Sequence, residues 1–266
     1  MQTDLIYDVG FHSGEDTEFY LTKGFKVVAI EADPGLYQAG QEKFSGAIES
    51  GCLTLLNVAV AETSGPISFF ASDNDVWGSI RRDAAKRNQR LGAGFREIII
   101  EGRRFGEILR QFGVPYYLKV DIEGADLLCL EALAEFENRP KYVSIEAEVD
   151  VLSGIRHEIS VLSGLGYTRF KIVRQGHVPL QSCPLPAREG QYVEYKFPYG
   201  SSGMFGEEAP GEWLSGDQAV ETYRKIVRVQ RLFGDKGWIR RLPLGNKVTN
   251  VIQPDVSWYD THASLA

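Results

Sequence analysis

Cysteine is scarce. Cys52, Cys129 and Cys183 are the only three in 266 residues, odd in number and far apart. That argues against a disulfide framework or a cysteine zinc site and for a reducing, cytoplasmic setting. Long apolar runs are missing as well. No stretch of about 18 uncharged apolar residues occurs, so neither a spanning helix nor a membrane partner is expected. The N-terminus, Met-Gln-Thr-Asp, has no basic segment and runs almost directly into a strand, which leaves no room for a signal peptide. Positive charge is in deficit. With 29 Lys and Arg against 36 Asp and Glu, the net charge of −7 argues against general nucleic-acid binding. Two nucleotide signatures are also absent. G-x-G-x-x-G fails because position 12 is His, and no G-x-x-x-x-G-K-[ST] run exists. A pyrophosphate is therefore poorly served.

What is present begins at once. Leu5-Ile6-Tyr7-Asp8-Val9-Gly10 is an apolar run that delivers an acid and a glycine, and Gly14 follows. A helical segment over 15–23 stops at Gly24, and a second apolar run, 26–30, ends in Glu31. The order is strand, glycine turn, helix, strand, acid. Glycines suit a backbone that must approach a ligand without a Cβ in the way. A carboxylate at the tip of the second strand suits the two hydroxyls of a ribose. The D-x-G-x-x-x-G spacing fits an uncharged or cationic adenosine derivative better than a dinucleotide.

Three segments together resemble a known family. Asp8-Val9-Gly10-Phe11-His12-Ser13-Gly14 is similar to motif I of class I S-adenosylmethionine methyltransferases. Val28-Ala29-Ile30-Glu31-Ala32-Asp33-Pro34 resembles their acidic ribose-binding segment. Leu118-Lys119-Val120-Asp121-Ile122-Glu123-Gly124-Ala125-Asp126 closely resembles the K-x-D-x-E-G signature of FkbM-type methyltransferases. The resemblance runs in order over about residues 4–175. It implies methyl transfer from S-adenosyl-L-methionine, commonly to a hydroxyl of a sugar or secondary metabolite, and it leaves the acceptor open. N- and C-methylation also stay open, as does the oligomeric state.

Apolar runs alternate with helical segments along the chain, which predicts parallel strands joined by crossover helices. Strands are expected at 4–9, 26–30, 53–58, 116–121 and 142–147, with short ones at 67–70 and 97–100. Helices are expected near 105–112, 125–136 and 156–165. The runs 168–173 and 192–197 could pair as an antiparallel hairpin. The expected fold is α/β: a Rossmann-like, seven-stranded, mostly parallel sheet with an antiparallel edge hairpin, the architecture the resemblance also implies. Residues 1–197 would then form the cofactor-binding methyltransferase domain. Residues 198–266 would be a C-terminal extension covering the acceptor site at the open edge of the sheet. Ser215 and Gln218 fit a capping box there, ahead of an apolar face at Ala219, Val220, Tyr223, Ile226 and Val227.

The resemblance and the turn chemistry together assign candidate residues. Asp8, Gly10, His12, Ser13, Gly14 and Thr17 surround the methionine part of the cofactor. Glu31 would bind the ribose, and Ala32 and Ala59 are further cofactor-binding candidates. Asp121 and Glu123 lie two apart at a strand end. They can position an amino group, take a proton from an acceptor hydroxyl, or hold a divalent cation such as magnesium. Capping of the next helix is their bland alternative. Glu146 reaches the rim of the same edge. Asp260 and His262 could form an acid-oriented imidazole base, so Asp121, Glu123, Glu146 and His262 are the catalytic candidates. Trp77 could stack on the acceptor or on adenine, or pack in the core. Basic clusters at Arg81–Arg90 and at Arg224–Arg241 hint at an anionic small-molecule or glycan acceptor. Two rivals remain. A non-catalytic cofactor-binding scaffold or sensor would keep the same motifs, and a nicotinamide oxidoreductase is disfavoured by residue 12.

Overall fold

The computed structural model describes residues 1–72, 95–122, 124–147, 151–234, 237–239, 242 and 257–265. Its frame is a seven-stranded sheet flanked by helices on both faces. Chain order gives β1 (Gln2–Val9), α1 (Glu15–Thr22), β2 (Lys26–Glu31), α2 (Pro34–Lys43), α3 (Ser45–Glu49) and β3 (Leu53–Asn57). Then come β4 (Ala59–Val60), β5 (Gly65–Ser72), β6 (Phe95–Arg103), α4 (Phe105–Phe112), β7 (Pro115–Val120) and α5 (Asp126–Leu133). The last elements are β8 (Tyr142–Glu146), α6 (Leu152–Gly164), β9 (Arg169–Arg174), α7 (Gly216–Phe233) and β10 (Tyr259–Ser264).

The large sheet runs β3-β2-β1-β7-β8-β10-β9. Its first five strands are parallel, and β10 is antiparallel to both of its neighbours. The expected fold class is thus the observed one. Alternation divides the side chains between two cores. Leu5, Tyr7, Val9, Leu118, Val120, Val143 and Ile145 face α4, α5 and α6. Ile6, Val27, Ala29, Leu55 and Tyr117 face the other way, toward α1 and the segment 193–205. The short expected strands at 67–70 and 97–100 are longer. They form, with β4, a separate three-stranded sheet in the order β4-β6-β5.

Two expectations about the C-terminal part are corrected. The run 192–197 forms no strand. Tyr195 and Phe197 instead set their rings against Phe19 of α1, at centroid distances of 5.0 and 4.8 Å. The partner of β9 is β10, which lies between β8 and β9. The sheet therefore closes only with residues 259–264, and a boundary at 197 cuts through it. The helix of the extension is also placed differently. Ser215 caps α7 with the expected box. Its buried Ala219 and Tyr223 join the core shared with α6, on one face of the sheet and not over its open edge. Other parts of the extension do reach that edge. Ser202 N–H donates to Asp16 at the start of α1 at 2.8 Å, and Tyr199 meets Trp258 edge-on with ring centroids 5.4 Å apart.

Candidate active site

The carboxyl ends of the parallel strands converge on the turn after β1. Gly10, His12 and Gly14 all take left-handed backbone, with φ of 94°, 53° and 80°. A Cβ on Gly10 would collide with the carbonyl oxygen of Asp121, so glycine is needed there because two strand ends meet. The close neighbour is protein backbone, not the ligand approach expected from the sequence. Gly14 is required for a similar reason, since a Cβ would run into Phe11 and Phe44.

Beneath the turn lies a buried ionic group. Lys119 Nζ donates to the Gly10 carbonyl at 2.8 Å and pairs with Asp8 at 3.1 Å and Asp16 at 3.6 Å. Burial would lower the pKa of this ammonium, but Asp8, then Asp16 and Asp121, hold it well above its usual value. Burial pushes the Asp16 carboxyl up to about 6, with Lys119 opposing the rise. Thr17 is buried, and its hydroxyl donates to the second Asp8 oxygen at 2.7 Å. Asp8 and Thr17 therefore shape the turn from below. Asp16 was not among the sequence candidates, because an acid in a first helical turn reads as ordinary dipole compensation.

Glu31 closes the other side. One carboxylate oxygen accepts from His12 N–H at 2.8 Å and the other from Asp33 N–H at 2.7 Å. Burial raises its pKa to about 7, and these two bonds offset part of the rise. Each oxygen keeps a second lone pair for a further donor. Ser13 bonds Glu15 and the His12 ring, at the exposed lip of the turn. Ala32 lies partly buried beside Asn57, whose side chain donates to its carbonyl at 3.3 Å, and Ala59 is buried at the start of β4. All nine cofactor candidates thus gather in or around the turn and the tips of β2 and β3.

The catalytic candidates separate. Asp121 is exposed just past β7, and its N–H binds Val9 O at 2.9 Å. No side chain caps the following helix at Ala125; the Asp126 carboxylate instead accepts from Ile122 and Gly124 N–H in the loop before it, at 3.1 and 3.0 Å. Glu146 is half-buried at the end of β8, directly opposite Asp260 of β10. Continuing the β7–β8 register past Val120 and Ile145 sets Asp121 beside Glu146. Three carboxyl groups therefore form one row across β7, β8 and β10, on the face that carries Lys119. Glu123 lies outside the described residues, as do Glu148, Trp77, Arg81, Arg82, Lys86, Arg87, Arg90, Lys236, Arg240 and Arg241. Among the described residues no group of three or more His, Cys, Asp or Glu is placed to hold a metal ion, so magnesium gains no support. On α7, Arg224 pairs with Glu221, while Lys225, Arg228 and Arg231 are exposed.

His262 sits one step deeper, opposite Ser144 and Lys171 in the register. It is 2% exposed, and neither ring nitrogen has a hydrogen-bond partner. Burial, and then Lys171, lowers its pKa to about 3. The structure seals this ring under the sheet edge, away from the rim where the sequence reading set a base. The sign of its effect on stability follows. The unfolded chain takes up a proton near pH 6.5 and the folded chain does not until about pH 3. Stability from this group is present above pH 6.5 and is lost as pH falls. Urea unfolding of His262→Leu and the parent at pH 7 and pH 5 should show the variant gaining about 2 kcal/mol on the parent over that interval. Equal pH dependence of the two proteins would contradict the neutral buried ring.

The family model for the methyltransferase FkbM domain matches residues 8–169, more than half of the chain. No curated protein sequence matches the chain. Among solved structures, a methyltransferase FkbM from Methylobacillus flagellatus KT is similar at 20% identity and a TM-score of 0.37. That match covers 55% of this chain and 33% of the other, so it spans a third of that protein's length. A precorrin-6y C5,15-methyltransferase from Geobacter metallireducens GS-15 is 13% identical over 65% of this chain and 68% of its own, with a TM-score of 0.37. A SAM-dependent methyltransferase from Archaeoglobus fulgidus is 10% identical over 98% of this chain and 85% of its own, with a TM-score of 0.40.

Proposed function

The chain belongs to the FkbM methyltransferase family, and from that premise we propose that it moves a methyl group from S-adenosylmethionine to a hydroxyl oxygen of a small-molecule or glycan acceptor. The residues present fit that cofactor. Glu31 keeps free lone pairs at the tip of β2, where two ribose hydroxyls would donate. The left-handed turn 10–14 leads into the N-terminus of α1, whose first amides suit a carboxylate. Asp8 and Asp16 outnumber Lys119, the cation they share, which favours a positively charged ligand. When bound, S-adenosylmethionine supplies a methyl carbon activated by a positive sulfur.

The chain's own contribution is orientation and proton handling. Lys119 ties the turn to Asp8 of β1 and Asp16 of α1, which favours walls that are in place before binding. A hydroxyl is a weak nucleophile at neutral pH and needs a proton acceptor. Asp121 is exposed at the rim and Glu146 lies next to it, so these two are the proposed bases. Tyr199 and Trp258 offer exposed aromatic surface at the same edge, which suits a ring-shaped acceptor.

The observation that carries this reading is the position of Glu31 beside the turn. Glu31→Ala removes an acceptor of two ribose hydrogen bonds and should weaken S-adenosylhomocysteine binding by about 1.5–3 kcal/mol. Calorimetric titration checks this, with NAD as the comparison ligand. Tight binding of NAD instead, or full affinity in the variant, would refute the assignment. A methyl-release assay over hydroxylated acceptors, with the methylated atom identified in the product, tests the oxygen specificity.

A further inference from the structure

We propose that the C-terminal end of α7 and the aromatic rim beside it form a docking surface for an anionic lipid bilayer. The surface lies next to the site, and the proposal does not depend on the cofactor reading. Its basis is that exposed cations and exposed apolar side chains gather at one end of the molecule. The inward side of α7 carries Ala219, Tyr223 and Val227, all buried. Its outward side changes sign along its length. Asp217 and Glu221 lie in the first turns, and Glu221 pairs with Arg224. Lys225, Arg228 and Arg231 follow, exposed, and among the described residues no acid pairs with them. Leu232 is 42% exposed beside them. Trp238 is 61% exposed, and its backbone N–H donates to the Arg231 carbonyl at 3.0 Å, which sets it against the helix end.

This end of α7 belongs to the active-site edge. The Gln230 side chain donates to the Ser257 carbonyl at 2.6 Å. The next residue is Trp258, which meets Tyr199 at the rim, and both are exposed. The edge that carries the site therefore also carries three unpaired cations, Leu232 and three exposed aromatic rings.

That combination selects the partner. A basic patch on a chain of net charge −7 gives the molecule an electrical direction, because an anionic surface attracts this end and repels the rest. A soluble polyanion would pair with the cations but leave Leu232 in water. An apolar protein face would cover Leu232 and Trp238 but strand the three cations. An anionic bilayer takes both, since its headgroups meet Lys and Arg while Trp, Tyr and Leu enter the boundary with the acyl chains. The sequence reading expects no membrane partner because no run spans; a surface bound from outside the bilayer needs none.

The test is flotation of the full chain with two kinds of vesicle, phosphatidylcholine alone and phosphatidylcholine mixed with phosphatidylserine, at low and high salt. The parent should float with the serine-containing vesicles at low salt, less so at high salt, and not with the neutral ones. Arg228→Gln and Arg231→Gln should each weaken that binding by about fivefold. Trp238→Ala should weaken it by at least as much. All three positions are exposed, and circular dichroism melting checks that the variants fold. Failure of the parent to float with either vesicle, or equal flotation with both, would overturn the proposal. Weaker binding in the arginine variants with none lost in Trp238→Ala would mark a patch for a soluble polyanion and overturn the bilayer. The lipid and salt comparison uses the parent alone, so it decides the matter even if a variant does not fold. The assay contains neither cofactor nor acceptor, so its failure leaves the cofactor reading standing, and failure of that reading leaves this proposal standing.

Discussion

Lys119→Met should destabilise the protein by about 3–5 kcal/mol, measured by urea unfolding at neutral pH. The Lys119 side chain is 5% exposed, those of Asp8 and Asp16 are 0% and 8% exposed, and the ammonium also binds the Gly10 carbonyl. Methionine fills a similar volume but leaves two acids and a carbonyl without their donor. The loss therefore measures abandoned charges, not the net worth of the pair. Adding Asp8→Asn to Lys119→Met should recover part of the loss, because one of the stranded charges is removed. A loss under about 1 kcal/mol would place Lys119 among ordinary exposed pairs and undo the account of the turn.

Ending the chain at Trp258 should abolish cooperative folding altogether. The truncation removes β10, and with it the pairing of both β8 and β9. It also removes the Thr261 hydroxyl that binds Tyr223 at 2.7 Å, and Ala263 from the core beneath α7. Two strands would then face a gap with unpaired backbone groups, which invites association. A domain of net stability about 5–15 kcal/mol does not survive the loss of an interior strand. Circular dichroism melting and gel filtration would show a non-cooperative transition and aggregates. A sharp two-state melt of the truncated chain would mean that the sheet is complete without β10, against this prediction.

The place of β10 inside the sheet was not legible in the sequence, for a physical reason. β1, β2, β7 and β8 were legible because they are buried on both faces and read as apolar runs. Strand β10 reads Tyr-Asp-Thr-His-Ala-Ser, yet every residue in it is buried. On one face it sets Asp260, His262 and Ser264 beside polar partners that include Glu146, Ser144, Lys171 and Arg169. Polar strands of this kind resemble exposed tails. The run 192–197 erred in the opposite sense, because its alternating aromatics pack on Phe19 without pairing to a strand. The cofactor side of the site was legible from Asp8, Gly10, Gly14 and Glu31, since the turn and the strand tip are local in sequence. Asp16 was hidden because its role depends on Lys119, about a hundred positions later and brought close only by the fold. The reason for Gly10 was also hidden, since the atom it must avoid belongs to Asp121.

The position of β10 also bears on how the protein is made. Glu146 must wait for Asp260, which leaves the ribosome only after β9 and α7. Until then the slot between β8 and β9 stays open, with both strand edges unpaired. Contacts this distant in sequence make the last step of folding slow. The growing chain is most exposed to wrong pairing while that slot waits.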